Sequence, residues 1–91
     1  MEIVWSPQSL EDIEKIGDYI AEDSPQNAAK FVSENIDSVE RLQTYPESGM
    51  LIEENPMFRH VVHQGYSIVY YLENNQVNII TVLSPGRLLK R

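Results

Sequence analysis

FRHVVHQGYSIVYYLENNQVNIITVLS, residues 58–84, is the stretch that decides the fold. Its apolar residues recur at a period of two, the mark of strands with one buried face. Gln64-Gly65 and Asn74-Asn75 interrupt the alternation. Asn tolerates positive φ, so Asn-Asn serves as a tight hairpin turn, as does a pair that includes Gly. Three strands follow, FRHVVHQ, YSIVYYLE and QVNIITVLS, in an antiparallel meander. On the middle strand Ile68, Tyr70 and Leu72 share one face, and Ser67, Val69 and Tyr71 share the other.

Upstream the period changes to that of a helix. Leu10, Ile13, Ile16 and Ile20 form one apolar stripe, and Ala28, Phe31, Val32, Asn35/Ile36, Val39 and Leu42 form a second. Each stripe opens on Ser-Pro, at residues 6–7 and 24–25, where Ser accepts from free helix amides and Pro suits the first helical position. The connection is short, so the two helices make an antiparallel hairpin. EIVW, residues 2–5, reads as a strand before the first helix. YPESG, residues 45–49, ends the second, and residues 50–57 read as a loop or poorly ordered segment. The expected architecture is α+β in the order β-α-α-β-β-β, with the helical hairpin on one face of a small, antiparallel-rich sheet. A single domain spans residues 1–91 and ends on a basic tail, residues 84–91. A hairpin covers only one side of a sheet, so the other face is expected to be open and to hold the site.

The chain has 91 residues, no cysteine and a formal charge of −7. Residues 1–54 carry thirteen acids against Lys15, Lys30 and Arg41, or −10, while residues 55–91 carry Glu73 against Arg59, Arg87, Lys90 and Arg91, or +3. Such asymmetry points to two surfaces with different partners, the helical acids forming a solvated face. A charge this negative is poorly suited to nucleic acid, whose phosphates call for many Lys and Arg. Without cysteine there is neither a disulfide framework nor a thiolate metal site. His60 and His63, three apart on a strand, point to opposite faces and cannot chelate together, so no metal and no cofactor is expected. The helix carboxylates do not converge, so no hydrolase dyad is indicated. No start resembling a signal peptide and no apolar run of membrane length occurs, and a cytoplasmic domain without membrane contact is expected. Trp5, Tyr66 and Tyr70 read as packing residues. Tyr71, on the face away from Tyr70, reads as an exposed anchor for a protein partner.

Taken together, IVWSPQSLEDIEKIGDYIAEDSPQNAAKF, then YPESG, then FRHVVHQGYSIVYYLENNQVNIITVLSPGR resemble the RelE/ParE superfamily of toxins from bacterial type II toxin–antitoxin modules, closest to its ParE-like members. The resemblance covers nearly the whole chain. It implies a toxin of a plasmid-stabilisation type of module, neutralised by a cognate antitoxin and meeting operator DNA only through that antitoxin. ParE-like members inhibit DNA gyrase by binding it, whereas RelE-like members cut mRNA on the ribosome.

The nuclease branch resembles itself in "GYR" on the middle strand, an arginine after the last strand and a tyrosine near the C-terminus. Here the first reads Gly65-Tyr66-Ser67, Arg87 matches the second, and no tyrosine follows Tyr71. RNA cleavage needs cations on the developing phosphorane charge and an acid–base pair. An enzyme is therefore disfavoured; Arg59, Arg87 and His63 are the candidates if the chain is a ribosome-dependent nuclease, and a degenerate toxin that keeps only antitoxin binding is a third reading. For the ParE-like reading, Arg59, His63, Ser67, Tyr71 and Arg87 are the expected target- or antitoxin-binding residues on the open face. Lys90 and Arg91 read as a solvated terminus. Complementary potential would draw an acidic antitoxin segment across that face, adding a strand at an exposed edge.

Overall fold

The computed structural model describes residues 1–87; Leu88, Leu89, Lys90 and Arg91, the end of the basic tail, lie outside the described residues. Strand β1 (Glu2–Trp5) leads into helices α1 (Pro7–Ala21) and α2 (Pro25–Glu40), followed by β2 (Met50–Leu51), β3 (Arg59–His63), β4 (Tyr66–Glu73) and β5 (Gln76–Leu83). The strands lie in the order β1-β5-β4-β3-β2, with β1 parallel to β5 and every other pair antiparallel. The α+β architecture with one helical hairpin on the sheet is as the sequence predicts. Residues 50–57 differ from expectation. Met50 and Leu51 pair with His60 and Arg59 as a fifth, edge strand, and Ile52 N–H to Phe58 C=O, 3.0 Å, closes the turn that follows.

Both helices start as their Ser-Pro pairs predict. Ser6 accepts from the Ser9 amide at 3.0 Å and Ser24 from the Asn27 amide at 3.2 Å, satisfying a donor that no helical carbonyl reaches. Ser6 also belongs to the sheet, since its hydroxyl donates to Ile80 C=O at 2.7 Å. Both hairpin turns hold two residues at positive φ, Gln64-Gly65 and Asn74-Asn75, as type I′ geometry requires.

Ile13, Val39 and Leu42 from the hairpin side meet Ile68, Tyr70, Val77, Ile79 and Val82 from the sheet, all buried. The phase on β5 moves from odd to even residues between Ile79 and Val82. A bulge causes the shift: Val69 pairs with Thr81 while Tyr70 pairs with Ile79, leaving Ile80 extra. Two stripe positions depart from the helical reading: Ile36 (38% exposed) and Leu10 (54%) face out, whereas Asn35, next to Ile36, is fully buried. Among the described residues no helix is long and apolar enough to cross a membrane.

Candidate functional site: the two faces of the sheet

A two-residue turn at Gln64-Gly65 pairs His63 with Tyr66, Val61 with Ile68 and Arg59 with Tyr70. Directly paired residues point to the same side of an antiparallel sheet. Arg59 and His63 therefore stand on the helix-covered side, with the core. This corrects the expectation that both line the open face.

His63 packs against the Phe31 ring, 5.0 Å between centroids, and Asn35 Nδ2 lies 3.4 Å from its Nδ1. Its Nε2 faces Glu34 Oε1 at 3.5 Å without hydrogen-bond geometry. Gln64 Nε2 donates to the same carboxylate oxygen at 3.0 Å. The cluster joins α2 to β3, with His63 and Asn35 on its inner side and the Gln64–Glu34 bond exposed at its rim.

Arg59 does comparable work at the other end of β3. One guanidinium nitrogen donates to Glu47 C=O at 3.1 Å and to Gly49 C=O at 2.9 Å. The paired Tyr70 hydroxyl donates to Pro46 C=O at 2.7 Å and accepts from Gly49 N–H at 3.0 Å. Burial raises the Tyr70 phenol above its ordinary pKa, opposed by the Gly49 amide and the Arg59 charge; it is a neutral donor. A Cβ at Gly49 would lie 2.5 Å from the Tyr70 oxygen, so only glycine admits this close approach. YPESG is thus bound into the core by Tyr70 and Arg59, more than merely ending a helix.

A third tie comes from a residue that reads in sequence as one more solvated acid. The Asp12 carboxylate accepts from the Thr81 hydroxyl and, at 3.0 Å, from Val82 N–H. It meets β5 beyond Ser6, where β1 no longer pairs with that strand. Partial burial pulls its pKa up, but the bonds from Thr81, Val82 and Gln8, with the Lys15 charge, outweigh burial and hold it below the ordinary value. No local signal in the sequence discloses this contact.

The outward side carries Phe58 just before β3, His60 and Val62 of β3, Ser67, Val69, Tyr71 and Glu73 of β4, and their partners on the neighbouring strands. Ser67 is set between Val62 and Leu83 across the strands and is only 7% exposed, so its hydroxyl is not a free contact. Tyr71 is on this side as expected. Its ring meets Phe58 edge to face at 5.8 Å, and the two line a cleft of about 520 Å³ with Val4, Met57, Asn78 and Ile80. Arg87 follows the end of β5 in a turn closed by its amide on Ser84 C=O at 3.0 Å. Gly65 fixes that exit, since a Cβ there would lie 3.2 Å from Pro85. Of the five expected contacts, the structure keeps Tyr71 and Arg87 accessible and turns Arg59, His63 and Ser67 into packing or tethering groups. Apart from Arg87 at its end, no arginine or lysine projects from this face among the described residues.

A two-helix hairpin on one side of a mixed five-stranded sheet defines a small α+β domain. A solved structure described as the chromosomal ParDE TA system from P. aeruginosa shares the fold with a TM-score of 0.81 and 20% identity, over 94% of this chain and 97% of that one. Toxin RelE2 of Caulobacter vibrioides is 31% identical over 87 residues, covering 96% of this chain and 98% of the relative. The family described as ParE toxin of type II toxin-antitoxin system, parDE, matches residues 3–89. The chain belongs to this ParE toxin family, within the RelE/ParE superfamily, and the family implies a cognate antitoxin as partner.

Proposed function

We propose that the chain acts as a ParE-like toxin that inhibits DNA gyrase by binding it, without chemistry of its own, until its antitoxin sequesters it. One observation carries this reading: the groups that would cut RNA are not assembled. Ser67 stands where the nuclease-like pattern has arginine and is buried, while Arg59 is turned beneath the sheet onto two backbone carbonyls. Arg87 alone cannot both neutralise a phosphorane and supply an acid–base pair. An apolar cleft with an aromatic pair is better suited to an anchor side chain of a protein. In this reading Tyr71 and Arg87 contact the target or the antitoxin, and the chain works in the cytoplasm.

The relative named RelE2 favours a second reading, a ribosome-dependent mRNA endonuclease. The experiment is induction of the chain alone in bacterial cells, following labelled thymidine and labelled methionine together, with Arg87→Ala beside the wild type. Gyrase inhibition is expected to stop thymidine incorporation first, and Arg87→Ala to relieve it. Loss of methionine incorporation first would overturn the reading in favour of the ribosome, and no effect on either would mark a toxin that retains only antitoxin binding.

A further inference from the structure

The cleft on the outward face is mostly apolar, and the side-chain polar atoms it leaves free are acceptors. Tyr71 and Phe58 stand nearly perpendicular, 83° between rings, and form two aromatic walls. Exposed Met57 and Val4 border them. Asn78 pairs with Tyr71 on one side and Val4 on the other. Its Nδ2 faces three backbone carbonyls, that of Gln76 at 3.4 Å and those of Tyr71 and Glu73 at 3.5 Å. Those contacts spend the amide's donors and leave Oδ1 to accept. The Ser6 hydroxyl is likewise spent on Ile80 C=O at 2.7 Å. What remains is Asn78 Oδ1, the Tyr71 hydroxyl, which can accept, and the exposed Glu73 carboxylate. Among the described residues no lysine or arginine lines the cleft, and Glu73 has no cationic partner. Across Gln76 in the same row, Glu2 adds a second negative charge. The N-terminal ammonium beside it is tied instead to Gln43 C=O at 2.9 Å.

Aromatic walls, apolar rims and free acceptors complement a donor-rich cation carried on an aliphatic stem. We propose that this cleft seats an arginine side chain presented by a protein partner, an inference that rests on the reading that the outward face meets a protein. A guanidinium offers five N–H donors and no acceptor, so it answers the acceptors left on Glu73, Asn78 and Tyr71. Its weakly hydrated plane stacks on an aromatic face. Its methylene stem runs along Val4 and Met57. Lysine is a poorer match, with three donors on a strongly hydrated head that offers no plane to stack. An acidic side chain would meet Glu73 and Glu2 as like charges. The partner's charge at this end of the face is therefore the reverse of the acidic segment expected from the sequence. At about 520 Å³ the cleft exceeds a single side chain, so apolar residues flanking the arginine enter with it.

The test is an NMR titration of the purified full-length chain with short capped peptides that set one residue between two leucines. The central residue is arginine, lysine or citrulline, the last having the arginine shape without its charge. The arginine peptide is expected to shift the Phe58, Tyr71, Glu73 and Asn78 amides and to saturate with a Kd of about 1 mM or tighter. The lysine peptide is expected to bind more weakly, and the citrulline peptide not to saturate. Tyr71→Leu is expected to weaken the arginine peptide about twofold to fivefold, the share of a partly exposed cation–π contact. Glu73→Gln is expected to weaken it about threefold to tenfold, through loss of a charge-assisted hydrogen bond. Unchanged circular dichroism would show that both variants fold. No saturable shift at the cleft, equal binding of the citrulline peptide, or undiminished binding by either folded variant would overturn the proposal. Shifts of the same amides on concentrating the chain without peptide would give the cleft to a second copy and overturn it too. The titration contains neither gyrase nor ribosome, so its failure is distinct from failure of the gyrase reading, which the incorporation assay decides.

Discussion

The two sides of one strand, β3, show how differently the same residue types are used. Arg59, Val61 and His63 point beneath the sheet, where the two polar groups meet fixed partners on the 45–51 segment and on α2. His60 and Val62 point outward, and Val62 remains 57% exposed. The polar residues that look most functional in sequence thus hold the scaffold, while a tyrosine and its aromatic neighbour, Phe58, shape the accessible side. The difference teaches that cationic or imidazole character on a strand is no guide to function until its facing is known.

The largest expected effect separates the two sides by packing alone. Ile68→Ala, at a fully buried position paired with Val61 and Val82, is expected to cost about 2–5 kcal/mol in chemical denaturation. Val62→Ala, one strand away but outward, is expected to stay within about 0.5 kcal/mol. Equal losses would break the distinction between the faces.

Next comes the polar tether. Tyr70→Phe keeps the ring but leaves the buried Gly49 amide and the Pro46 carbonyl without their partner, a loss of about 1–3 kcal/mol. Hydrogen exchange at Gly49 should accelerate beyond what the global loss explains. Unchanged protection there would mean that Arg59 alone holds the segment.

The smallest effect is electrostatic. Asp12 is held below its ordinary pKa in the fold, so its contribution is fully present above the unfolded-state value, near 4, and is lost as pH falls through the lower folded-state value. Asp12→Asn is expected to flatten the stability profile in that acid window and to leave it nearly parallel to wild type above pH ~5. A variant with the wild-type slope below pH ~4 would show that Asp12 does not carry this term.

Some of what the structure corrects was already written in the chain. The turn at Gln64-Gly65, with two residues, dictates that 63 pairs with 66 and 59 with 70, so the inward facing of His63 and Arg59 follows once Tyr70 is assigned to the core. The β5 bulge is less legible, because Ile79, Ile80 and Val82 are all suitable strand residues and period alone does not show which one is extra. Residues 50 and 51 are too few to show alternation, and their pairing depends on β3 offering an edge.

The sequence by itself determined the periods, the Ser-Pro helix starts, the two type I′ turns and hence the β-α-α-β-β-β order apart from the short edge strand β2, because each rests on local backbone preference or on side-chain spacing within one element. Tertiary structure alone decided that Asp12 reaches β5, that YPESG is tied to Tyr70 and Arg59, and that Ser67 is enclosed. The first two are contacts between residues from 10 to 70 positions apart, and all three are set by how helices and strands pack, which no local pattern encodes.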